Sequence, residues 1–221
     1  MDRLATIKTS EARILLRLAN ALHETPTPLS RKRLLIEGLC ELIDAAAGSC
    51  VVRHLDPASQ KITIVSAIAY RYAPSGESVS IGEFSAVGGD WTEPPTLVAQ
   101  ANSLTSTMQI PGSAVSATLN LIFAPYRRSR ATARERRLVD LFHSEMTWMY
   151  QPDVLLTSPS ALSLSRRERQ TLEHLLEGLS EKQIASKLSL SQNTVHHYVK
   201  SIHKHFDVSS RSELLARWVG K

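Results

Sequence analysis

Within residues 162–221 three expected helices open on the same string, Ser-x-x-Glu/Gln, just ahead of an apolar helical run: Ser165-Arg166-Arg167-Glu168, Ser180-Glu181-Lys182-Gln183 and Ser210-Arg211-Ser212-Glu213. In such a box the serine hydroxyl accepts a bond from the backbone N–H three residues on. The Glu or Gln side chain reaches back to the serine N–H, so two otherwise orphaned donors are satisfied at once. The spacing therefore fixes three helix starts within a short stretch. A fourth start lies between the second and third boxes, where Ser191 caps Gln192-Asn193-Thr194-Val195-His196-His197-Tyr198-Val199-Lys200.

The first of these helices is expected over about 166–177, with Leu172, Leu175 and Leu176 inward and Gly178 as its left-handed terminator. The second runs over about 181–188, with Ile184, Ala185 and Leu188 apolar. Only Ser189-Leu190 separates it from Ser191, which is the tight turn of a helix-turn-helix. The third runs over about 192–206. Val195, Val199, Ile202 and Phe206 recur along one face, opposite Asn193, His196, His197, Lys200 and Lys204. A fourth, over about 211–219, adds Leu214, Leu215, Trp218 and Val219. Four closely spaced helices with one polar, partly basic stripe are the layout of a double-stranded DNA reader.

These strings resemble the LuxR-type (GerE-type) helix-turn-helix: Leu164-Ser165-Arg166-Arg167-Glu168-Arg169, Glu177-Gly178-Leu179-Ser180-Glu181-Lys182-Gln183-Ile184-Ala185, Leu190-Ser191-x-x-Thr194-Val195 and Val208-x-x-Arg211. The resemblance covers about 162–219. It implies that the third helix lies in the major groove, with His196, His197 and Lys200 toward base edges. Lys182, Thr194, Lys204 and the helix N-terminus would face phosphates, with Asn193 and Val195 in the same DNA-binding set. One departure is chemical: His196 stands where the family usually places a lysine after Thr-Val, and His197 follows it. Histidine ordinarily titrates near pH 6.5, so either this face gains charge on mild acidification or one histidine donates to a phosphate or base as a neutral ring. The fourth region of sigma factors shares part of the pattern, but the promoter-melting domain that would accompany it is not visible upstream.

The 221 residues suit two domains. The net charge of +5 favours a polyanionic partner, and the last 71 residues carry 10 Lys+Arg against 7 Asp+Glu with five of the eight histidines. Ahead of the reader the pattern is different. Helices are expected at 10–24, stopped by Pro26 and Pro28, and from Ser30 to near Gly48. Strands are expected at 49–55 and 62–70, joined by the Asp56-Pro57-Ala58-Ser59 turn. A long glycine- and proline-rich connection spans 71–95, with a short strand near Val79–Ile81. A helix or turn near 97–101, strands near 103–109 and 114–124, and an amphipathic helix over 132–149 follow. The fold class is therefore an α+β domain, an antiparallel sheet flanked by helices, joined to an all-α four-helix reader. The element order resembles GAF domains, with PAS domains close in layout. The divisions are 1–150 for this GAF-like sensory or dimerising domain, 151–161 for a proline- and serine-rich linker, and 162–221 for the reader.

No catalytic constellation, phosphate loop or metal-ligand spacing stands out, so neither an enzyme nor a bound cofactor or metal is expected. Cys40 and Cys50 read as buried free thiols. The phosphoacceptor pattern of receiver domains and the aromatic-rich pattern of acyl-homoserine-lactone binding domains are missing. Tyr70, Phe84 and Trp91 either line a pocket for a small-molecule effector or anchor the long loop to the sheet. The basic run around Arg127-Arg128-Ser129-Arg130 reads as a solvated helix entrance. The 132–149 helix is a candidate dimer seam, which would place two readers one helical turn apart on DNA. The sequence carries no signal peptide or apolar span, so a cytoplasmic, homodimeric transcriptional regulator that meets DNA and RNA polymerase is expected. A tetrahelical module that binds a protein partner in place of DNA is the competing reading.

Overall fold

The structure, a computed structural model, describes residues 7–71, 79–85, 102–124 and 130–219. Helix α1 (Thr9–Glu24) buries Leu18 and Leu22 and packs on α2 (Pro28–Ile43). Pro28 begins α2 and does not merely end the helix before it. Thr27 is the cap, its hydroxyl accepting from Ser30 N–H, and Pro28 sits in the first turn, where a missing N–H costs nothing. The helix stops at Ile43 on Asp44, which takes the left-handed conformation at φ 56°, and so ends earlier than the sequence suggested. Gly48 instead lies in strand β1 (Ala47–Leu55), where a Cβ would fall 2.5 Å from Ile36 Cγ2. Its lack of a side chain lets β1 lie flush on α2.

Strands β2 (Ile62–Arg71), β3 (Val79–Ser85), β4 (Ser103–Gln109) and β5 (Val115–Ile122) complete an antiparallel five-stranded sheet of order β3-β2-β1-β5-β4. The side-chain period of two sorts its faces. Cys50 and Val52 of β1, with Val115, Ala117, Leu119 and Leu121 of β5, join one core with Leu35, Ile36, Leu39 and Ile43 of α2. On the other face of β4 and β5 the cross-strand pairs are polar, with Thr105 donating to Asn120 Oδ1 at 2.7 Å. The expected turn at 97–101 and most of the glycine-rich connection lie outside the described residues.

Helix α3 (Ala133–Glu145) opens on a Thr132/Glu135 capping box. The helix expected to run on to 149 breaks at Met146, and Thr147–Tyr150 form a 3-10 turn that buries Met149 and Tyr150. Its apolar stripe (Leu138, Phe142, Met146, Met149) is buried within the chain's own fold, leaving Leu141 at 56% exposure. Residues expected as a linker form two short helices, α4 (Gln151–Leu156) and α5 (Pro159–Leu162). Four reader helices follow: α6 (Arg166–Leu176), α7 (Glu181–Leu188), α8 (Gln192–His205) and α9 (Arg211–Val219). Their core gathers Leu172, Leu175, Ile184, Val195, Val199, Ile202, Phe206 and Leu214, and takes in Leu155 of α4 and Ala161 of α5. The fold class is thus an α+β domain built on an antiparallel sheet, followed by an all-helical reader.

Candidate nucleic-acid interface

Short-range hydrogen bonds set the geometry of α7 and α8. Ser180 N–H donates to Gln183 Oε1 at 2.8 Å, and Gln183 N–H returns to Ser180 Oγ. At the far end Ser189 adopts φ 54°, and Leu190 N–H closes on Ala185 O at 2.9 Å. Ser191 Oγ then accepts from Thr194 N–H at 3.0 Å and starts α8 at once. A left-handed serine followed by a serine cap turns the chain within three residues. The same logic ends α6 at Gly178, whose φ of 90° favours glycine.

Longer-range bonds tie the four helices to one another. Ser201 of α8 donates to Glu168 of the α6 capping box. Arg211, at the start of α9, donates to Leu179 O at 2.7 Å and to Leu175 O at 2.6 Å. Leu175 O lies in the last turn of α6, where carbonyls lack partners inside the helix, so the guanidinium complements the dipole there and adds to the bond from Gly178 N–H; Leu179 O lies in the turn that leads into α7. The third box departs from the pattern: Glu213 N–H bonds Ser210 Oγ, while Glu213 Oε2 accepts from Ser209 N–H and Ser209 Oγ.

Of the residues the resemblance assigned to DNA, Asn193, His197, Lys200 and Lys204 are exposed on α8 and Lys182 is exposed on α7. The sequence of α8 holds no acid, so its outward face is neutral to cationic. Thr194 is half-buried, its hydroxyl 2.8 Å from Ser191 Oγ. Two residues sit elsewhere. Val195 is fully buried, as its place in the inward Val195–Val199–Ile202 run demands. His196 leans back on α7, with Nδ1 3.2 and 3.3 Å from the Glu181 carboxylate oxygens.

The front domain's candidates are dispersed. Tyr70 is a core residue, 2% exposed, with the Arg33 guanidinium 5.1 Å from its ring. Trp91 and the side chain of Phe84 lie outside the described residues, as do 127–129 of the basic run. Arg134 forms a bidentate ion pair with Glu11 of α1, and that bond holds the Glu11 carboxyl down at about 2. A cleft of about 590 Å³ opens between the β1–β2 and β4–β5 turns and helices α4 and α5, with His54, Lys61, Ala114, Val154, Thr157 and Leu162 among its walls.

Two buried polar clusters had no signal in the sequence. His143 of α3 bonds Ser106 Oγ through Nδ1 at 3.1 Å and Tyr150 through Nε2 at 3.0 Å; burial lowers its pKa to about 4 and keeps the ring neutral. Lys32 of α2 donates from Nζ to both oxygens of Asp153 in α4, each at 2.8 Å, and to Ser66 Oγ at 2.7 Å. Ser66 in turn donates to Asp153 at 2.6 Å. Lys32 and Asp153 are 1% and 3% exposed. Each cluster joins residues of separate elements, Ser106 to His143 across 37 positions and Lys32 to Asp153 across 121, so neither spacing nor periodicity could reveal them.

Residues 162–218 match the family described as bacterial regulatory proteins, luxR family. The chain is 42% identical over 64 residues to the probable HTH-type transcriptional regulator GfsR of Streptomyces halstedii, covering 29% of this chain and 26% of that protein. It is 32% identical over 87 residues to the HTH-type quorum-sensing regulator RhlR of Pseudomonas aeruginosa, covering 39% and 35%. The chain thus spans about a third or less of the curated relatives it matches. Two solved structures also align: SdiA in complex with octanoyl-rac-glycerol, with TM-score 0.37, 17% identity and 94% and 92% of the two chains covered, and Escherichia coli SdiA, with TM-score 0.39, 18% identity and 96% and 97% covered. Among the described residues no helix is long and apolar enough to cross a membrane. The capped α6–α9 array, with its tight α7–α8 turn and the family match over the same residues, is a helix-turn-helix domain of the luxR family.

Proposed function

We propose that the chain is a sequence-specific transcriptional regulator of the cytoplasm, whose α8 enters the major groove of double-stranded DNA. The observation that carries this reading is the acid-free outward face of α8, presented by a tight turn inside a luxR-family domain. On this reading Asn193, His197 and Lys200 read base edges, while Lys182, Lys204 and the N–H groups at the start of α8 hold phosphates. His196, tied to Glu181, orients α7 on α8 and reaches DNA only by leaving that carboxylate. The front domain, GAF-like in element order, carries the signal or the dimer contact. Its exposed Leu16 on α1 and Leu141 on α3 offer apolar surface for a second copy. A homodimer would set two α8 helices about one turn apart on DNA, where the bound protein could meet RNA polymerase. The 590 Å³ cleft has the size of a small-effector site.

The test is selection of bound sequences from a random duplex library by the full chain, repeated with Lys200→Ala. An enriched two-fold symmetric motif, weakened in the variant and falling steeply in affinity with salt, supports the reading. Absence of enrichment at low salt with the fold intact refutes it and favours a protein partner.

A further inference from the structure

Helix α4 faces both domains. Its Asp153 closes the buried cluster with Lys32 of α2 and Ser66 of β2, while Leu155, two residues on, is part of the reader core. Against this joint lies α6, the first reader helix. A small cavity of about 30 Å³, room for a water, is walled by Pro28, Lys32 and Ser66 of the front domain, Asp153 of α4, and Glu173 and Glu177 of α6. Glu173 is 8% exposed, and its carboxyl has no hydrogen-bond partner among the described residues. Glu177 beside it is already bonded by His174 at 2.9 Å and Lys187 of α7 at 3.4 Å.

We propose that this junction is a proton-operated latch: the reader stays docked on the front domain while Glu173 is neutral and is released when Glu173 ionises. A carboxylate formed there would be largely buried with no side-chain donor among the described residues, beside the negative charges of Asp153 and Glu177. The cations facing it are Lys32 from α2 and Lys187 from α7. Lys32 is committed to Asp153 and Ser66, and Lys187 to Glu177, so neither is free to neutralise it. Burial first, then Glu177 and Asp153, push the Glu173 pKa up to about 8; Lys187 and Lys32 pull the other way. The direction of the effect follows. The docked form holds the proton up to about pH 8, whereas an undocked, solvated glutamate loses it near its ordinary value. Docking is therefore strongest at acid pH and weakens as pH rises between those two values, by at most about tenfold per pH unit, then levels off.

The test uses the full chain with spin labels on Gln109→Cys and Ser186→Cys, both exposed and on opposite sides of the junction. Cys40 and Cys50 are buried and stay unlabelled. The parent should give one distance population at pH 5.5 and a second, broader one that grows to pH 8.5. Glu173→Gln should remain docked throughout, with the reader folded by circular dichroism. Carboxyl carbon NMR, assigned by the same variant, should place the Glu173 titration well above ordinary glutamates. If Glu173→Gln fails to fold, Glu177→Gln takes its place and should retain more docked population at pH 8.5 than the parent. A pH-invariant parent, a Gln variant that responds like the parent, or an ordinary Glu173 titration overturns the latch. The readout is docking and not DNA binding, so its failure leaves the regulatory reading standing.

Discussion

Replacing Lys32 by methionine is the sharpest test of how the two domains are tied. The change keeps the apolar stem against Tyr150, whose ring lies 5.9 Å from Nζ, and deletes three donated bonds: two to Asp153 and one to Ser66. What remains is a carboxylate at 3% exposure with Ser66 as its side-chain donor. Removing one partner of a buried pair costs about 3–5 kcal/mol, because the other charge is left uncompensated. The cheapest escape for the orphan is to take a proton. For an ordinary aspartic acid near 3.9 that costs about 4 kcal/mol at pH 7 and about 1.5 kcal/mol at pH 5. Lys32→Met should therefore lose about 4 kcal/mol at pH 7 and markedly less at pH 5. Urea unfolding followed by circular dichroism and tryptophan fluorescence would read it, since Trp148 stacks on His23 with centroids 4.1 Å apart close to the joint. The double variant Lys32→Met/Asp153→Leu, which removes both charges, should recover to within about 1 kcal/mol of the parent. A loss in Lys32→Met that is equal at pH 5 and 7, or a double variant as unstable as the two single ones added together, would refute the account.

Arg211→Met strips two charge-assisted bonds, one from Leu175 O at the end of α6 and one from Leu179 O in the turn before α7, and should destabilise the reader by about 2–4 kcal/mol in thermal unfolding; a loss within error of zero would show that water takes over both carbonyls. Ser180→Ala removes the α7 cap and should cost about 1 kcal/mol, with faster amide exchange confined to the first turn of α7. Exchange spreading through α8 would mean that the turn, and not the cap, had been damaged. Burial pushes the Cys40 thiol up to about 12 and Cys50 upward as well, so neither should react with a thiol reagent at pH 8 until urea unfolds the front domain. Stoichiometric labelling of the folded chain would contradict the packing.

What the sequence disclosed and what it hid divide by range. Ser165, Ser180 and Ser191 announce their helices because a cap is a bond between residues three apart, and the structure makes each of them. Local chemistry also explains the error at Pro28: the same proline that forbids a helix interior suits a first turn, and only Thr27 ahead of it decides between them. The 132–149 helix misled in the opposite direction. Its apolar spacing continues past Met146, but Met149 and Tyr150 reach the front core only because the chain tightens into a 3-10 turn there. On α8 the period assigned Val195 inward correctly, whereas the motif alone would have sent it to DNA. His196 looked free because its partner, Glu181, belongs to another helix. Lys32 and Asp153 stand 121 residues apart. Each looks in sequence like an ordinary surface charge, and the fold alone makes them a pair.

The embedding of α4 also decides where this chain can be cut and rejoined. A fragment starting at residue 162 would lack Leu155 and Ala161, both part of the reader's apolar interior, and would expose the hollow they fill. A fragment starting at 151 keeps them but carries Asp153 into solvent, away from Lys32. Recombining this reader with a different sensor therefore calls for a seam upstream of Gln151, with Asp153 recoded to suit its new neighbour. The exchangeable unit is the reader together with the helix that introduces it.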